Sequence, residues 1–490
     1  MAAIREQILR RKPTAILLAE AGPDAEGLKR ALGALDLTLL GIGAIVGAGI
    51  FVLTGVAAAK YAGPAIMMSF VVAGFACAMA ALCYAEFAAM IPIAGSAYSY
   101  SYATMGELVG WIIGWDLVLE YAVGAAAVAV GWSGYLNVIL RGMGIHLPEA
   151  LTHAPAVGGI VDLPALLIVL LISAVLYIGI SESARLNSVI VVIKLCAIAV
   201  VIIGGLFFVR PANWSPFAPF GWSGVMKGAA VIFFAYIGFD AVSTAAEEVI
   251  DPKRDLPIGI LASLFVCTAL YILVSAVLTG MVPAHMIDLK APLASAFVIR
   301  GLNIIAWIVS AGAVAGLSSV LLVLLLGQSR IFFAISRDGL LPPAFSRIHP
   351  RFRTPYIPTT LTGIAVGLTA AFLPIQEIAE LTNIGTLFAF VLVCLGVWIL
   401  RRAEPEVKRP FHTPLVPLVP ILGVVCCLFL MASLPVVTWL RFFIWMVAGL
   451  IIYFTYGRFH SRVSFGSETE SSSGASMGSG TAMRRGSGSA

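Results

Sequence analysis

The stretch GIGAIVGAGIF, from Gly41 to Phe51, decides how this sequence folds. It holds four glycines within nine positions, at 41, 43, 47 and 49, inside an otherwise apolar run. Each glycine costs about 1 kcal/mol of helix propensity relative to alanine. Close helix packing is one use for such glycines. Because they crowd the middle of the run, we predict instead an unwound stretch, which a membrane tolerates only where the backbone lines a cavity.

The composition of the whole chain is that of a membrane protein. Of the 490 residues, 60% are hydrophobic and 11% are charged, and the mean hydropathy is +1.01. Soluble domains are roughly half apolar and a quarter charged. The apolar runs lack the polar alternation of a transmembrane β-barrel, so the sequence predicts an all-α integral membrane protein.

Twelve apolar runs are long enough to predict membrane-spanning helices, since one crossing needs about 20 residues. The third and the eighth are too long for one straight crossing, and we expect a tilted helix or an extension along the interface. The runs lie near residues 36–59, 64–90, 104–140, 163–181, 186–209, 225–246, 257–281, 303–335, 357–375, 381–400, 414–433 and 438–457.

The basic residues predict the orientation of these spans. With twelve crossings, 22 of the 30 lysines and arginines fall on the side of the chain termini, and Lys194 lies inside a span. Cytoplasmic loops carry such an excess, so we predict a multi-pass protein of the plasma membrane with both termini in the cytoplasm. The net charge of +5 therefore reflects topology, and we expect no nucleic-acid partner. The opposite side holds Lys60, Arg141, Arg210, Lys227, Lys290, Arg300 and Arg441.

A second interruption is predicted in the sixth span, in FFAYIGFDAVST from Phe233 to Thr244, with Gly238 and Asp240 at its centre. Two interrupted helices five spans apart are typical of a five-plus-five inverted repeat, with a binding site at the membrane midplane between the breaks. Freed amides at helix N-termini suit a carboxylate, and freed carbonyls suit an ammonium group. The pattern therefore predicts binding of a zwitterionic amino acid.

Four long stretches make the sequence resemble the amino acid, polyamine and organocation (APC) transporter superfamily, within it the cationic amino acid transporter branch and its bacterial homologues. The span count agrees with this resemblance from about residue 36 to residue 457. The matching stretches are LTLLGIGAIVGAGIFVLTG, LCYAEFAAMIPIAGSAYSYSYATMGELVGWIIGWDLVLEYAVG, FFAYIGFDAVSTAAEEVIDPKRDLPIGI and SRIFFAISRDGLLP.

The resemblance implies a division of the chain into four parts and a transport cycle by alternating access. Residues 36–400 would form a transport core of ten helices in two inverted halves, with helices 1 and 6 discontinuous, and residues 401–460 two peripheral helices. Residues 1–35 form a cytoplasmic N-terminal segment. Residues 461–490 are rich in Ser and Gly and should be disordered, because they hold too few apolar residues to bury a core.

The resemblance also assigns substrate-binding positions, nearly all of them main-chain groups at the two breaks. In the first break, the amides that match carboxylate-binding positions belong to Gly47, Ala48 and Gly49, and Ile45 matches the carbonyl that takes the α-amino group. In the second break, Phe234, Ala235 and Ile237 match positions that offer carbonyls to the amine, and Phe234 also matches an aromatic gate over the substrate.

Lys194 is the one basic side chain placed in the middle of a predicted span, in RLNSVIVVIKLCAIAVVIIGG. A charge inside the membrane costs at least about 2.5 kcal/mol, so each one is a functional hypothesis. In the resembling family this position matches the cation site of sodium-coupled relatives. We expect Lys194 to exchange a proton against unwound carbonyls near Gly41 and Ile42, with a purely structural lysine as the alternative. The proton motive force would then drive uptake, with no cofactor.

Three carboxylates inside predicted spans have two interpretations each. Asp240 matches an acidic position linked to gating or proton response, or it anchors the two half-helices. Asp116 and Glu120 lie four residues apart on one helical face. They either favour a cationic side chain or hold polar groups between helices. Glu86 and Glu107 are expected to join Lys253, Arg254 and Arg337 in a network that closes the cytoplasmic gate.

The sequence argues against the other function classes. It has no HExxH motif, no phosphate-binding glycine loop and no histidine inside a span, so an enzyme is not expected. No filter motif indicates a channel, and a sensor on the same scaffold would need an added domain. Proton-coupled symport and amino acid exchange stay open, as do neutral and cationic substrates, although the apolar stretch from Leu321 to Leu324 favours a small neutral one. Expected partners are the substrate, protons, lipid and, as an open option, a small accessory membrane subunit.

Overall fold

A computed structural model describes residue 10 and residues 31–91, 96–179 and 184–462, with the side chains at 96, 99, 184–188, 244 and 247 excepted. Most of the predicted N-terminal segment 1–35 and tail 461–490 lies outside the described residues. The described residues form fourteen helices of eight residues or more. In chain order they are α1 Ala34–Ile45, α2 Ile66–Met90, α3 Ser96–Met105, α4 Glu107–Gly142, α5 Leu163–Ile178, α6 Ala184–Leu206, α7 Gly221–Ile232, α8 Pro252–Met281, α9 Pro292–Ile299, α10 Asn303–Arg337, α11 Tyr356–Phe372, α12 Ile375–Ala403, α13 Leu418–Ala432 and α14 Val436–Ile452.

The described part of the chain has the helices of a membrane protein. Eight helical segments are long and apolar enough to cross a bilayer, and α1, α5, α11 and α13 are shorter apolar helices. Beyond two isolated β-bridges, no extended pairing occurs in the ranges that the structure covers. The prediction of an all-α membrane protein is therefore confirmed.

The third and eighth predicted spans form the two longest helices. α4 has 36 residues and α10 has 35, and each is unbroken. At 1.5 Å per residue each is about 50 Å long, which exceeds the roughly 30 Å of bilayer hydrocarbon. They pack along each other, with Gln328 Nε2 donating to the Val118 carbonyl at 3.0 Å and Trp132 Nε1 donating to Ser318 Oγ at 2.9 Å.

Both predicted interruptions are present. α1 ends at Ile45, Val46 is extended with ψ 91°, and helical turns resume only near Gly49. α7 ends at Ile232 and passes through a 3₁₀ turn at Phe233–Tyr236 before the backbone becomes extended. The first and the sixth predicted spans are therefore each split into two halves, as predicted.

The two described ends of the chain lie at the same end of the bundle, which we call the terminal face. Leu32, just before α1, accepts a hydrogen bond from the Ile250 amide at 3.0 Å, and its own amide donates to the Glu248 carbonyl at 3.0 Å. At the other chain end, the Arg462 amide donates to the Asp338 carbonyl at 3.0 Å, at the end of α10. The opposite end of the bundle is the far face.

Glu86 links α2 to the chain that follows α12. Its carboxylate accepts two hydrogen bonds from Arg401, at 3.0 and 2.7 Å, and one from the Thr413 amide at 2.8 Å, and Arg409 Nε lies 3.5 Å away. The prediction that Glu86 pairs with Lys253, Arg254 and Arg337 is therefore wrong. The reason is that Arg401, in the last turn of α12, and Arg409, in the segment 404–413 that follows it, both reach this carboxylate, which is 2% exposed.

The carboxylate of Glu107 likewise accepts several hydrogen bonds, in this case from hydroxyl groups. Its carboxylate accepts hydrogen bonds from Tyr453 at 2.9 Å, Ser461 at 2.6 Å and Tyr102 at 3.2 Å. It is fully buried at the start of α4, and two of its partners follow α14. The prediction that Glu107 joins a network with Lys253, Arg254 and Arg337 is therefore wrong as well, because its carboxylate is bound by hydroxyl groups, two of them from residues after α14.

Glu86→Gln is expected to lower the stability of the fold strongly. The amide cannot neutralise Arg401 and Arg409, and breaking a buried ion pair on one side costs about 3 to 5 kcal/mol. Thermal unfolding of the purified protein in detergent should show a clearly lower midpoint. Arg210→Gln, which removes an exposed charge from a loop, serves as the control, and equal midpoints for the two variants would contradict the assignment.

Candidate functional site

The two broken helices touch each other at their breaks. A β-carbon added to Gly49 would lie 2.2 Å from Ala235 Cα, which is far inside contact distance, so only glycine permits this approach. Gly238 has φ +114°, a conformation that residues other than glycine rarely adopt, and a β-carbon added there would lie 3.0 Å from the backbone of Ala44. The glycines that interrupt the helices therefore also bring the interruptions together.

Tyr271, from the middle of α8, lies between the two breaks. Its hydroxyl is 3.0 Å from the Ile45 carbonyl and 2.7 Å from the Ala235 carbonyl. A tyrosine hydroxyl has one hydrogen to donate, so it can satisfy only one of these acceptors at a time. Sequence reasoning missed Tyr271, because a tyrosine in an apolar span is indistinguishable there from a packing residue.

Asn383 of α12 caps the carbonyls at the end of α7. Its side-chain amide donates to the Ala230 carbonyl at 2.7 Å and to the Val231 carbonyl at 2.9 Å. The last carbonyls of a helix have no partner within the helix, so such a cap stabilises the break in an environment without water. The second break is thus held open by a side chain from another helix.

A small cavity of about 40 Å³ lies between the breaks. Of the seven predicted substrate residues, Ala235 is not in its lining, and its carbonyl faces Tyr271 instead. The other six line the cavity: Ile45, Gly47, Ala48, Gly49, Phe234 and Ile237. α4 and α10 complete the wall, with Glu120, Tyr121, Gly124 and Val128 from one and Val320, Val323 and Leu324 from the other.

The intramembrane carboxylates separate into two groups. Glu120 and Asp240 line the cavity. Asp240 is held by backbone groups of its own turn, at positions 238, 240 and 241. Asp116 is fully buried outside the cavity beside Gly385, and neither of its carboxylate oxygens has a hydrogen-bond partner among the described residues. Asp116 therefore lies outside the cavity that Glu120 lines, although both residues lie on one face of α4.

Asp116→Asn is expected to leave stability within about 1 kcal/mol of the wild type. The carboxyl group makes no hydrogen bond that the variant could lose, and the amide has nearly the same shape. The measurement is the unfolding midpoint in detergent, with Glu86→Gln as the matched buried carboxylate that does have partners. A loss as large as that of Glu86→Gln would show that Asp116 holds a group essential to the fold.

Lys194 lies behind the first break, outside the cavity lining. Its ammonium group donates to the Gly43 carbonyl at 2.6 Å, and the side chain is fully buried. The last turn of α1 closes with the bond from Val46 N to the Ile42 carbonyl. The break therefore frees the next carbonyl, that of Gly43, and Lys194 takes it. The sequence predicted carbonyls near Gly41 and Ile42, and the acceptor belongs to the next residue, Gly43.

Gly316 of α10 makes room for Lys194. A β-carbon at this position would lie 2.9 Å from Lys194 Cγ and 3.2 Å from its Cε. The aliphatic part of the lysine thus packs on a bare backbone while its charged end reaches α1. Gly316 therefore belongs to the surroundings of Lys194, but the sequence offers no signal that separates it from other small residues in α10.

A chain of polar groups closes the bundle above the cavity at the far face. Lys60 Nζ, at the end of the helical turns that follow the first break, donates to Gln376 Oε1 at 2.7 Å. The side-chain amide of Gln376 contacts the Tyr61 hydroxyl and donates to Glu380 at 3.1 Å. These bonds join the half-helix after the first break to α12, and we refer to them as the far-face link.

Comparison with known proteins agrees with this geometry. The model of the amino acid permease family matches residues 32–456. The chain is 50% identical to the methylthioribose transporter of Bacillus subtilis over 456 residues, which cover 93% of this chain and 98% of that protein. It is 49% identical to the branched-chain amino acid permease of the same organism over 466 residues, which cover 94% and 100%. Human cationic amino acid transporter 4 is 42% identical over 383 residues, which cover 76% and 60%.

The features described above occur within the matched range. Both breaks, the cavity between them and Lys194 lie inside residues 32–456. Two of the relatives are covered over nearly their whole length. The resemblance inferred from the sequence is confirmed, and the chain belongs to the amino acid permease family.

Proposed function

We propose that the protein is a secondary active transporter of L-amino acids that works by alternating access. The observation that carries this proposal is the small cavity between two backbone breaks. Gly47, Ala48 and Gly49 are part of its wall, where main-chain amides would suit a carboxylate, and Ile45 and Phe234 are part of it as well, where carbonyls would suit an ammonium group. A site built from main-chain groups recognises the part that all amino acids share.

The proposed architecture has twelve spans, the first ten in two inverted halves, with the terminal face in the cytoplasm. Interruptions in the first and sixth predicted spans support the repeat. The 22 basic residues on the side of the termini, against seven on the other, support the orientation in the plasma membrane. The far face is then extracellular, and the far-face link is an outer gate that is closed here.

Uptake is proposed to be proton-coupled through Lys194. When protonated, Lys194 holds the freed Gly43 carbonyl and fixes the first half of the broken helix. Loss of the proton removes a charge-assisted hydrogen bond and lets that half-helix move. Asp240, in the cavity wall, is a second candidate for the proton, and amino acid exchange is the alternative mode of transport.

A small neutral substrate fits the cavity better than a long cationic one. A volume of 40 Å³ accommodates only a few water-sized groups. Val320, Val323 and Leu324 give the side-chain end an apolar surface, which a small apolar group complements. Because Glu120 and Asp240 are acidic and line the cavity, cationic amino acids are tested as well.

The decisive experiment is uptake by purified protein in liposomes from a panel of radiolabelled substrates, with and without an inward acid gradient. The panel contains alanine, valine, leucine, lysine, arginine and methylthioribose. We expect an L-amino acid to accumulate, and to do so faster with the gradient. Accumulation that needs internal amino acid and ignores the gradient would indicate an exchanger. Binding without uptake or counterflow would indicate a sensor, and transport of methylthioribose alone would refute the amino acid assignment.

A further inference from the structure

A second and larger cavity, of about 650 Å³, opens at the far face beyond the far-face link. Its volume is typical of ligand-binding pockets, which span about 300 to 1,000 Å³. Lys60 and Gln376, the two ends of that link, are both part of its wall. A molecule in this far-face cavity would therefore touch the groups that close the central one.

Helix α4 contributes to both cavities. Gly124 and Val128 line the central cavity, and Val130 and Gly134, two and six residues beyond Val128, line the far-face cavity. The far-face wall then continues to Asn137 and Arg141. Because a helix makes one turn in 3.6 residues, the two sets lie on different sides of α4, and the far-face cavity is separate from the central one.

Asn137 and Arg141 both have unused bonding capacity. They lie four residues apart in α4, hence on one face of the helix. Asn137 is 9% exposed, and its Oδ1 atom has no hydrogen-bond partner among the residues that the structure describes. Arg141 is exposed to the cavity and has no ion pair within the same described ranges. A guanidinium group beside an unsatisfied amide can bind a carboxylate and an ammonium group together.

The charges around the far-face cavity are balanced in number, but most of them are engaged. Asp162 pairs with Lys290 at 2.9 Å, and Glu377 pairs with Arg441 at 2.7 Å. Lys60 is bound in the far-face link. Among the described residues of the lining, Arg141 forms no ion pair, and the bond of Lys60 goes to the neutral Gln376. Such a wall disfavours ligands of high net charge and suits a zwitterion whose carboxylate pairs with Arg141. The charged residues of the lining are Lys60, Arg141, Lys290, Asp162, Asp288 and Glu377.

We propose that the far-face cavity is a second amino acid site, in which Arg141 binds the α-carboxylate and the amide of Asn137 binds the α-ammonium group. This inference rests on the proposed function, because it assumes that the central cavity takes an amino acid. The second site holds the substrate at the outer side of the far-face link. When Lys60 separates from Gln376, the bound amino acid is already beside the path to the central cavity.

The test counts bound substrate molecules per chain. The probe is radiolabelled L-alanine, or whichever panel amino acid the wild type takes up faster, measured by equilibrium binding to purified protein. We expect two molecules per wild-type chain and one per Arg141→Gln chain. In liposomes Arg141→Gln should raise the KM for uptake about tenfold, as expected for one lost charge-assisted bond, and change the maximal rate by less than about twofold.

Two further variants complete the test. Asn137→Ala should likewise bind one molecule, and it replaces Arg141→Gln if that variant does not fold. Arg210→Gln, the same change at an exposed loop position outside the cavity, should bind two molecules with an unchanged KM. One molecule per chain in a transporting wild type, or two in Arg141→Gln, would overturn the second site. Absence of any uptake by the wild type would instead refute the proposed function.

Discussion

Lys194→Ala abolishes the stimulation of uptake by an inward acid gradient, whereas counterflow of the same amino acid persists. This is the expected result because the variant removes the ammonium group that holds the Gly43 carbonyl at 2.6 Å, while the lining of the central cavity stays intact. The measurement is initial uptake into liposomes at equal and at unequal pH. We expect the ratio of the two rates to fall to about one.

Two controls make the Lys194 result specific. Lys227→Ala removes an exposed lysine of α7 and should keep the gradient response. Lys194→Gln keeps a hydrogen-bond donor but cannot release a proton at physiological pH, so it should resemble Lys194→Ala in its rates even if it folds better. Undiminished gradient-driven accumulation by either Lys194 variant would refute proton coupling through this residue.

Gly49→Ala is expected to reduce substrate binding and uptake at least tenfold. The new methyl group would lie 2.2 Å from Ala235 Cα and 2.4 Å from Ala235 Cβ, so the two breaks must move apart. Overpacking usually costs about 1 to 3 kcal/mol. Here the neighbouring atom, Ala235 Cα, belongs to the backbone, which cannot move away as a side chain does. The energetic cost should appear as weaker substrate binding in the central cavity, since the two breaks meet there.

The measurement for Gly49→Ala is equilibrium binding and uptake at several substrate concentrations. Gly204→Ala is the matched control, because a methyl group there meets only ordinary contacts, the nearest at 3.7 Å. It should behave as the wild type does. If Gly49→Ala binds substrate with wild-type affinity, the breaks are not in contact in the state that binds, and the site must be placed elsewhere.

The sequence predicted the breaks well because their signal is local. Glycine density in an apolar run depends on one segment alone, and both interruptions occur where Gly47 and Gly238 suggest. The same holds for Lys194, whose position in mid-span is visible without a fold. Its acceptor, the Gly43 carbonyl, lies next to the predicted Gly41 and Ile42, and the exact residue could not be predicted because it depends on where α1 ends; helix ends are the least predictable feature of a sequence.

What could not be predicted depends on which distant segments meet. Glu86 and Arg401 are 315 positions apart and join only because α2 packs against α12. Tyr271 has no local feature that marks it as a partner of two breaks. Gly316 is one of several small residues in α10, and its role follows from the side chain that packs on it. Charge and hydropathy gave no indication of any of these pairings.

The single proton of the Tyr271 hydroxyl affects how readily the empty carrier closes. Without substrate it can serve only one of the Ile45 and Ala235 carbonyls, whereas an ammonium group bound at the Ile45 carbonyl would leave the hydroxyl to Ala235. Closure of the empty carrier should therefore be less favourable than closure around an amino acid. In the proposed transport cycle this slows the return of the empty carrier, which net uptake requires and exchange does not, so counterflow is expected to be faster than net uptake.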